Sequence, residues 1–302
     1  EIPYTGKIIQ EDTTLFRMLS IGGIRSHKVA FALAKGWEGD LTPYIRQRDV
    51  LQPSSNMLYN ISSLDGYINL VPRYLITMWG NEKKGGLILN TAGLSEDKRQ
   101  LIISPSFINI LSAFNVKYLI SIWSINHPAF EILSCRDGLW LYRNRLVMAR
   151  SYLVDEAVLL DDVEAGNRLI NGMINLNKQV IITDSSFTSP ENDTFQSYGA
   201  TFIKSYQASY IKIQVDTKRD CWLVLSDTYY PGWHASVDGQ EVKIYRANIC
   251  ARAVRINQGI HEVVFYYRPQ KYLIGRAISL ISFVIIVFGM ILDAVQFRKR
   301  NI

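Results

Sequence analysis

From Tyr272 to Leu292 the chain reads YLIGRAISLISFVIIVFGMIL, with Arg276 as its single charge. As a helix this stretch is about 31 Å long, matching a bilayer hydrocarbon core of roughly 30 Å. A core helix of a soluble domain keeps one wet stripe. Between Ala277 and Leu292 only Ser279, Ser282 and Gly289 interrupt the apolar residues, and they build no polar face. Arg276 lies near one end, where its long stem can carry the guanidinium to the head groups. Tyr266, Tyr267 and Tyr272 fall where an interfacial aromatic belt belongs. Residues 271–296 are therefore read as a transmembrane helix and 297–302 as a tail. Arg298, Lys299 and Arg300 favour a cytoplasmic tail, although Arg268, Lys271 and Arg276 nearly balance them.

Ahead of the span lies enough chain for one large or two ordinary domains, and 48% apolar content is ample for a core. The net charge of +6 is spread along the chain with no basic run except the tail. That excludes nucleic-acid binding and suits a membrane-proximal protein. Glu1-Ile2-Pro3 starts no basic n-region or apolar h-region. If residues 1–270 are extracytoplasmic, export requires a removed signal or the upstream part of a longer membrane protein. Cys135, Cys221 and Cys250 have no metal-ligand spacing. A Cys221–Cys250 bridge is one reading, and buried free thiols are the favoured one.

The patterning predicts an α+β fold: a mixed α/β part over 1–160, then an antiparallel β-sandwich over 161–270. In the first part Thr13–Leu19 and Val116–Ser121 read as strands and Phe107–Phe114 as a helix. Lys28–Lys35 fits a helical turn or a strand, and Pro43, Pro53 and Pro72 break the stretch beyond it into loops and short helices. Ser95-Glu96-Asp97-Lys98 reads as a helix start, with Ser as cap and acids in the first turn. Asp137-Gly138 marks a hairpin, and Asp161–Asn171 a helix closed by Gly172. Strand-like runs come after it at Val180–Thr183, Thr201–Ser205, Tyr210–Asp216, Trp222–Ser226, Trp233–Val237, Glu241–Tyr245, Ile249–Ile256 and His261–Arg268. Their spacing suggests a sandwich, with Asp238-Gly239 as its strongest hairpin signal.

No soluble-enzyme signature is present: no G-x-G-x-x-G, no Walker loop and no H-E-x-x-H. Ser95-x-x-Lys98 matches the first motif of penicillin-interacting enzymes, but S-D-N and K-T-G are absent. Asn60-Ile61-Ser62 and Asn192-Asp193-Thr194 are sequons whose meaning depends on the host. Two blocks carry candidate binding residues. Asn60–Tyr74 gathers Asp65, Gly66, Tyr67, Arg73 and Tyr74. Such a loop can bind a sugar phosphate, Arg taking the phosphate and Asp the hydroxyls; the plainer reading is a turn with a local ion pair. Leu223–Asp238 contains Tyr229-Tyr230-Pro231-Gly232-Trp233. Tyr230 and Trp233 can stack on sugar rings, or Trp233 can serve as a sandwich pillar.

These blocks, with the span, resemble one family. Asp227-Thr-Tyr-Tyr-Pro-Gly-Trp233, Val237-Asp238-Gly239, Ile244-Tyr-Arg-Ala-Asn248, Arg252-Ala-Val254, Gly259-Ile-His261 and Phe265-Tyr-Tyr-Arg-Pro269 precede a terminal helix. That order is similar to the C-terminal end of YfhO-type bacterial membrane proteins. Phe16-Arg17-Met-Leu-Ser20, Ser63-Leu-Asp-Gly-Tyr67, Asn115-Val-Lys-Tyr-Leu119, Trp140-Leu-Tyr-Arg-Asn144 and Ala149-Arg-Ser-Tyr152 extend the resemblance upstream. The family is similar to GT-C glycosyltransferases, with many membrane helices, a large extracytoplasmic domain and a last helix. The resemblance implies sugar transfer from a polyprenyl-phosphate carrier to a cell-envelope glycan acceptor, with no cofactor. It further implies a cell-membrane location, partner helices upstream, and an acidic catalytic residue in an early extracytoplasmic loop that this chain does not contain. No catalytic residue and no metal ligand carries over. The alternative is a membrane-anchored, non-catalytic module that binds glycan or a partner.

Overall fold

A computed structural model describes residues 2–22, 48–51, 55–64, 72–79, 86–184 and 199–300. In chain order the first elements are α1 (Tyr4–Gln10), β1 (Arg17–Ile21), α2 (Arg73–Trp79), β2 (Ala92–Leu94) and β3 (Leu101–Ile103). Then come α3 (Pro105–Ala113), β4 (Val116–Ser121), β5 (Phe130–Arg136), β6 (Leu139–Asn144), β7 (Ser151–Val154) and β8 (Glu156–Leu159). They are followed by α4 (Asp162–Ile170), β9 (Gln179–Ile182), β10 (Gly199–Gln207), β11 (Tyr210–Thr217), β12 (Cys221–Leu225) and β13 (Trp233–Val237). The chain ends with β14 (Gln240–Val242), β15 (Tyr245–Ala247), β16 (Ala251–Ile256), β17 (Gly259–Tyr267) and α5 (Gln270–Arg300). The fold is α+β with one long C-terminal apolar helix, as the patterning predicts.

Among the described residues three larger sheets stack in layers, and β2 and β3 form a separate two-stranded one. The first has the order β1-β4-β6-β5, the central one β7-β12-β16-β15-β9-β8 and the outer one β10-β11-β17-β13-β14. The outer sheet is antiparallel throughout. The central sheet is antiparallel except where β8 runs parallel to β9. Strands from both sides of residue 160 share this central sheet.

The central sheet is covered on both faces, which explains the unbroken apolar run CWLVL of β12. All five of its residues are buried. Trp222 and Val224 join a core cluster with Phe107 and Leu111 of α3, Leu169 of α4, and Leu119 and Tyr142 of the first sheet. Cys221, Leu223 and Leu225 point the other way and pack against Ile213, Val263 and Phe265 of the outer sheet. A third cluster, with Ile9, Met18, Leu51 and Tyr118, seals the far side of the first sheet. Cys221 and Cys250 therefore lie in clusters on opposite sides of the central sheet, and both are free thiols. Burial pushes them up to about 11 and about 12, so both stay protonated and unreactive.

Local chemistry sets the boundaries. Asp161 caps α4 by accepting from the backbone N–H groups of Val163 and Glu164, at 2.9 and 2.8 Å. The strand expected from Thr13 begins only at Arg17, because Thr14 N and Oγ1 both donate to Asp12 Oδ1 and hold a turn there. The helix expected at Ser95–Lys98 is absent. Ser95 Oγ and the backbone N–H of Arg99 bond the Asp97 carboxylate, closing a turn between β2 and β3. Acids next to Ser satisfy a turn as readily as a helix start. The run Glu241–Tyr245 is not one strand but two, β14 in the outer sheet and β15 in the central one. Val242 and Ile244 both turn into the layer between the sheets, where the chain crosses over. Lys28–Lys35, Pro43, Pro53 and Asn192 lie outside the described residues.

At the β13–β14 hairpin Asp238 and Gly239 adopt φ of 51° and 82°, the left-handed pair that a tight hairpin demands. Asp238 Oδ1 accepts from the backbone N–H of Glu262 at 2.8 Å, and Oδ2 lies 2.7 Å from His261 Nδ1. The Asp238 carboxylate raises the His261 pKa above its usual value. The folded state then binds a proton more tightly than the unfolded one. The contribution is complete below the unfolded value, about 6.5, and is lost as pH rises through the raised folded value. His261→Gln is expected to flatten the fall in stability between neutral and mildly alkaline pH. Denaturation midpoints across that range test this, and an unchanged slope would refute it.

Helix α5 runs 31 residues, and its segment Gln270–Ile291 is long and apolar enough to span a membrane, with none of that apolar window buried. Only Arg268 and Pro269 separate it from β17, so the sandwich ends at the head of this helix.

Candidate functional site

Where β12 ends, the chain turns through Ser226-Asp227-Thr228-Tyr229-Tyr230-Pro231-Gly232 into β13. Gly232 is required here: its φ is 102°, and a Cβ would meet the Tyr267 ring at 3.0 Å and Pro269 at 3.1 Å. Asp227 is buried at the foot of this turn; Arg17 and Arg150 contact its carboxylate, and Arg252 binds the carbonyl of the next residue, Thr228.

Arg17 of β1 donates from Nη2 to Asp227 Oδ1 at 2.7 Å and from Nη1 to the Ser226 and Phe114 carbonyls at 2.8 and 3.0 Å. Arg150, just before β7, has Nη1 3.5 Å from Asp227 Oδ1 and Nη2 3.4 Å from the Phe16 carbonyl. Arg252 of β16 donates from Nε to the Thr228 carbonyl at 2.9 Å, and its guanidinium lies 3.7 Å from the Trp233 ring centre. Tyr206 of β10 donates its hydroxyl to the Asp227 carboxylate, 3.0 Å from each oxygen. The Arg150 guanidinium sits 5.4 Å from the Tyr206 ring.

The cluster is unbalanced. Among the described residues Asp227 is the one carboxylate paired with Arg17 and Arg150, and Arg252 pairs with none. Arg150 and Arg252 are only 3% and 4% exposed. Arg150 Nε and Nη1 and Arg252 Nη1 have no hydrogen-bond partner among the described residues. Burial pushes both guanidinium groups down to about 10, and for Arg150 the neighbouring Arg17 charge adds to it. Both remain cationic at neutral pH.

Beside Arg150 opens a cleft of about 340 Å³, walled by Thr14, Asn115, Lys117, Met148, Arg150, Ser151, Thr201 and Phe202 among others. Asn115 donates to the Met148 carbonyl at 2.8 Å, while its buried Oδ1 has no partner among the described residues. Lys117 pairs with Asp12 and donates to Thr14 Oγ1 at 3.1 Å. Burial opposes ionisation of Asp12, but bonds from Lys117, Thr14 and Tyr118 win and hold its carboxyl well below the usual range. Thr201 Oγ1 donates to the Ser151 carbonyl at 2.7 Å. The arrangement is cationic and rich in donors, without a nucleophile–base pair among the residues that wall it.

The residues singled out from the sequence divide into three groups. Asp65 and Tyr67 lie outside the described residues. Arg73 is exposed at the start of α2, where its carbonyl accepts from Thr77 Oγ1. Tyr74, Tyr230 and Trp233 come together around the aromatic turn. Tyr74 donates its hydroxyl to the Tyr229 carbonyl and lies beneath the Arg246 guanidinium at 5.3 Å. Burial raises the Tyr74 phenol to about 12. Tyr230, 47% exposed, is the open aromatic of the turn. Trp233 is half-buried between Arg252 and Tyr267, the latter 5.5 Å away between ring centres.

Sequence reading passed over Arg17, Arg150, Asp227 and Arg252 as site residues. For Arg252 a signal existed: period-two alternation in ARAVRI puts it on the same face as Val254 and Ile256, both buried. A charge on an inward face needs a partner or a purpose.

A family model described as bacterial membrane protein YfhO matches residues 111–279, more than half of the chain. The match runs from the end of α3 into α5 and takes in the aromatic turn, Arg150, Asp227 and Arg252. No curated protein and no solved structure matches the chain.

Proposed function

This chain belongs to the YfhO family of bacterial membrane proteins, and from that premise we propose that it is the extracytoplasmic part of a polyprenyl-phosphate-sugar-dependent glycosyltransferase. The family match carries the reading. The short link from β17 to α5, which holds the sandwich at the head of the apolar helix, supports it. In this reading residues 297–302 are cytoplasmic and the layered body lies outside the cell membrane.

An acceptor hydroxyl oxygen attacks the anomeric carbon of the lipid-linked sugar. The bond to the acceptor forms as the bond to the phosphate oxygen breaks, with inversion, and polyprenyl phosphate leaves. The acceptor proton passes to a base that the family's membrane helices supply. The layered body covers that site, excludes water and selects the envelope glycan. Tyr230 and Tyr74 border the acceptor path, with Trp233 fixing the turn; Asp65, Tyr67 and Arg73 are further contacts to test.

Deleting the gene tests the proposal. The expected result is loss of one sugar substituent from an envelope glycopolymer, with accumulation of its polyprenyl-phosphate donor. Wild-type complementation should restore both. Unchanged glycan composition with no donor accumulation would overturn it in favour of a non-catalytic binding module.

A further inference from the structure

We propose that the cleft beside Arg150 is a binding site for a phosphate group, free or carried on a small substituent. The inference stands on the cluster's charge and geometry and does not rest on the glycosyl-transfer reading.

Charge comes first. Arg17, Arg150 and Arg252 bring three positive charges to a buried place where Asp227 brings one negative. Buried charges persist when they are paired, because desolvation costs several kcal/mol per ion. A carboxylate ligand would offset half of the surplus. A phosphate monoester, with about −1.5 to −2 charge, offsets nearly all of it.

Geometry points to the same side. Both terminal nitrogens of Arg17 are engaged, Nη2 by Asp227 and Nη1 by two carbonyls. Arg150 is not: Nη1 lies 3.5 Å from Asp227 Oδ1 without a hydrogen bond, and Nε has no partner among the described residues, although the residue is almost wholly buried. An orphaned guanidinium donor is costly unless a ligand oxygen meets it, and arginine is the side chain best suited to phosphate oxygens. Arg150 forms part of the cleft wall together with Lys117, Ser151 and Thr201. The opening, about 340 Å³, has room for a phosphate and one sugar-sized substituent. Phe202, 66% exposed on the same wall, offers an apolar face to such a substituent.

The test uses the full chain in phosphatidylcholine nanodiscs, titrated with inorganic phosphate or glucose 1-phosphate against chloride at matched ionic strength. Saturable phosphorus-31 line broadening and a raised Tm are expected with phosphate and not with chloride. Arg150→Lys keeps the charge but loses the planar donors, and should weaken binding at least ~10-fold. Because Arg150 is buried, Lys117→Met provides a second arm. It should weaken binding several-fold when measured well below the Tm that loss of the Asp12 ion pair lowers, and Lys117→Arg, which keeps that pair, should retain binding. Nanodiscs containing phosphatidylglycerol distinguish the source: a lipid headgroup ligand would raise Tm without added phosphate and compete with it. No saturable phosphate effect in the wild type, or full affinity in Lys117→Met, would overturn the proposal.

Discussion

Asp227→Asn is expected to destabilise the folded body by about 3–5 kcal/mol, the range for removing one partner of a buried ion pair. The substitution keeps the shape of the side chain and removes its charge. Arg17 then loses its 2.7 Å charge-assisted bond, and the Tyr206 hydroxyl keeps only a neutral acceptor. Three guanidinium groups remain with no counter-charge in the cluster. Residues from β1, β10, β16 and the turn after β12 meet here, so the loss reaches all three sheets. Urea denaturation of the micelle-bound protein, followed by tryptophan fluorescence, measures the change. Arg17→Met on the Asp227→Asn background should recover part of it, since removing a cation relieves the surplus. A loss below about 1 kcal/mol would mean that Asp227 does not hold the cluster together.

Much of this architecture is legible in the chain because it is written in local patterns. The Asp137-Gly138 and Asp238-Gly239 turns need left-handed backbone, and both sit where the alternating runs demand a reversal. The cap at Asp161 and the helix after it are likewise local. The failures are non-local or degenerate. Ser95-Glu96-Asp97 suits a turn as well as a helix start, and only the pairing of β2 with β3 decides between them. The crossing after β14 depends on two layers competing for Val242 and Ile244, which no short window reveals. The site was harder still. Arg17 and Asp227 are 210 positions apart, and their meeting follows from three sheets stacking. The aromatic turn stood out by composition, yet it is the roof of the cluster, and the charges beneath it are scattered singly among apolar strands.

Trp222→Ala should cost about 3–5 kcal/mol, as large aromatic truncations do in cores that cannot collapse. Trp222 lies on the face of β12 turned toward α3 and α4, with its ring edge-on to Tyr245 at 5.3 Å between centres. On the opposite face of the same strand, Leu223 and Leu225 are pinned by the outer sheet. The strand is hydrogen-bonded to β7 on one side and β16 on the other. Closing the void would require β12 to shift toward α3, and that shift would open a gap in the sandwich behind it. Relaxation is therefore small and most of the cavity persists. Trp222 also belongs to a cluster that joins the first sheet, α3, α4 and the central sheet. Its loss should lower the midpoint of a single unfolding transition with the denaturant slope unchanged. If the mutant instead unfolds in two steps, with the outer and central sheets surviving the first, the shared cluster does not couple the layers. The both-faced burial of β12 would then be packing without cooperativity.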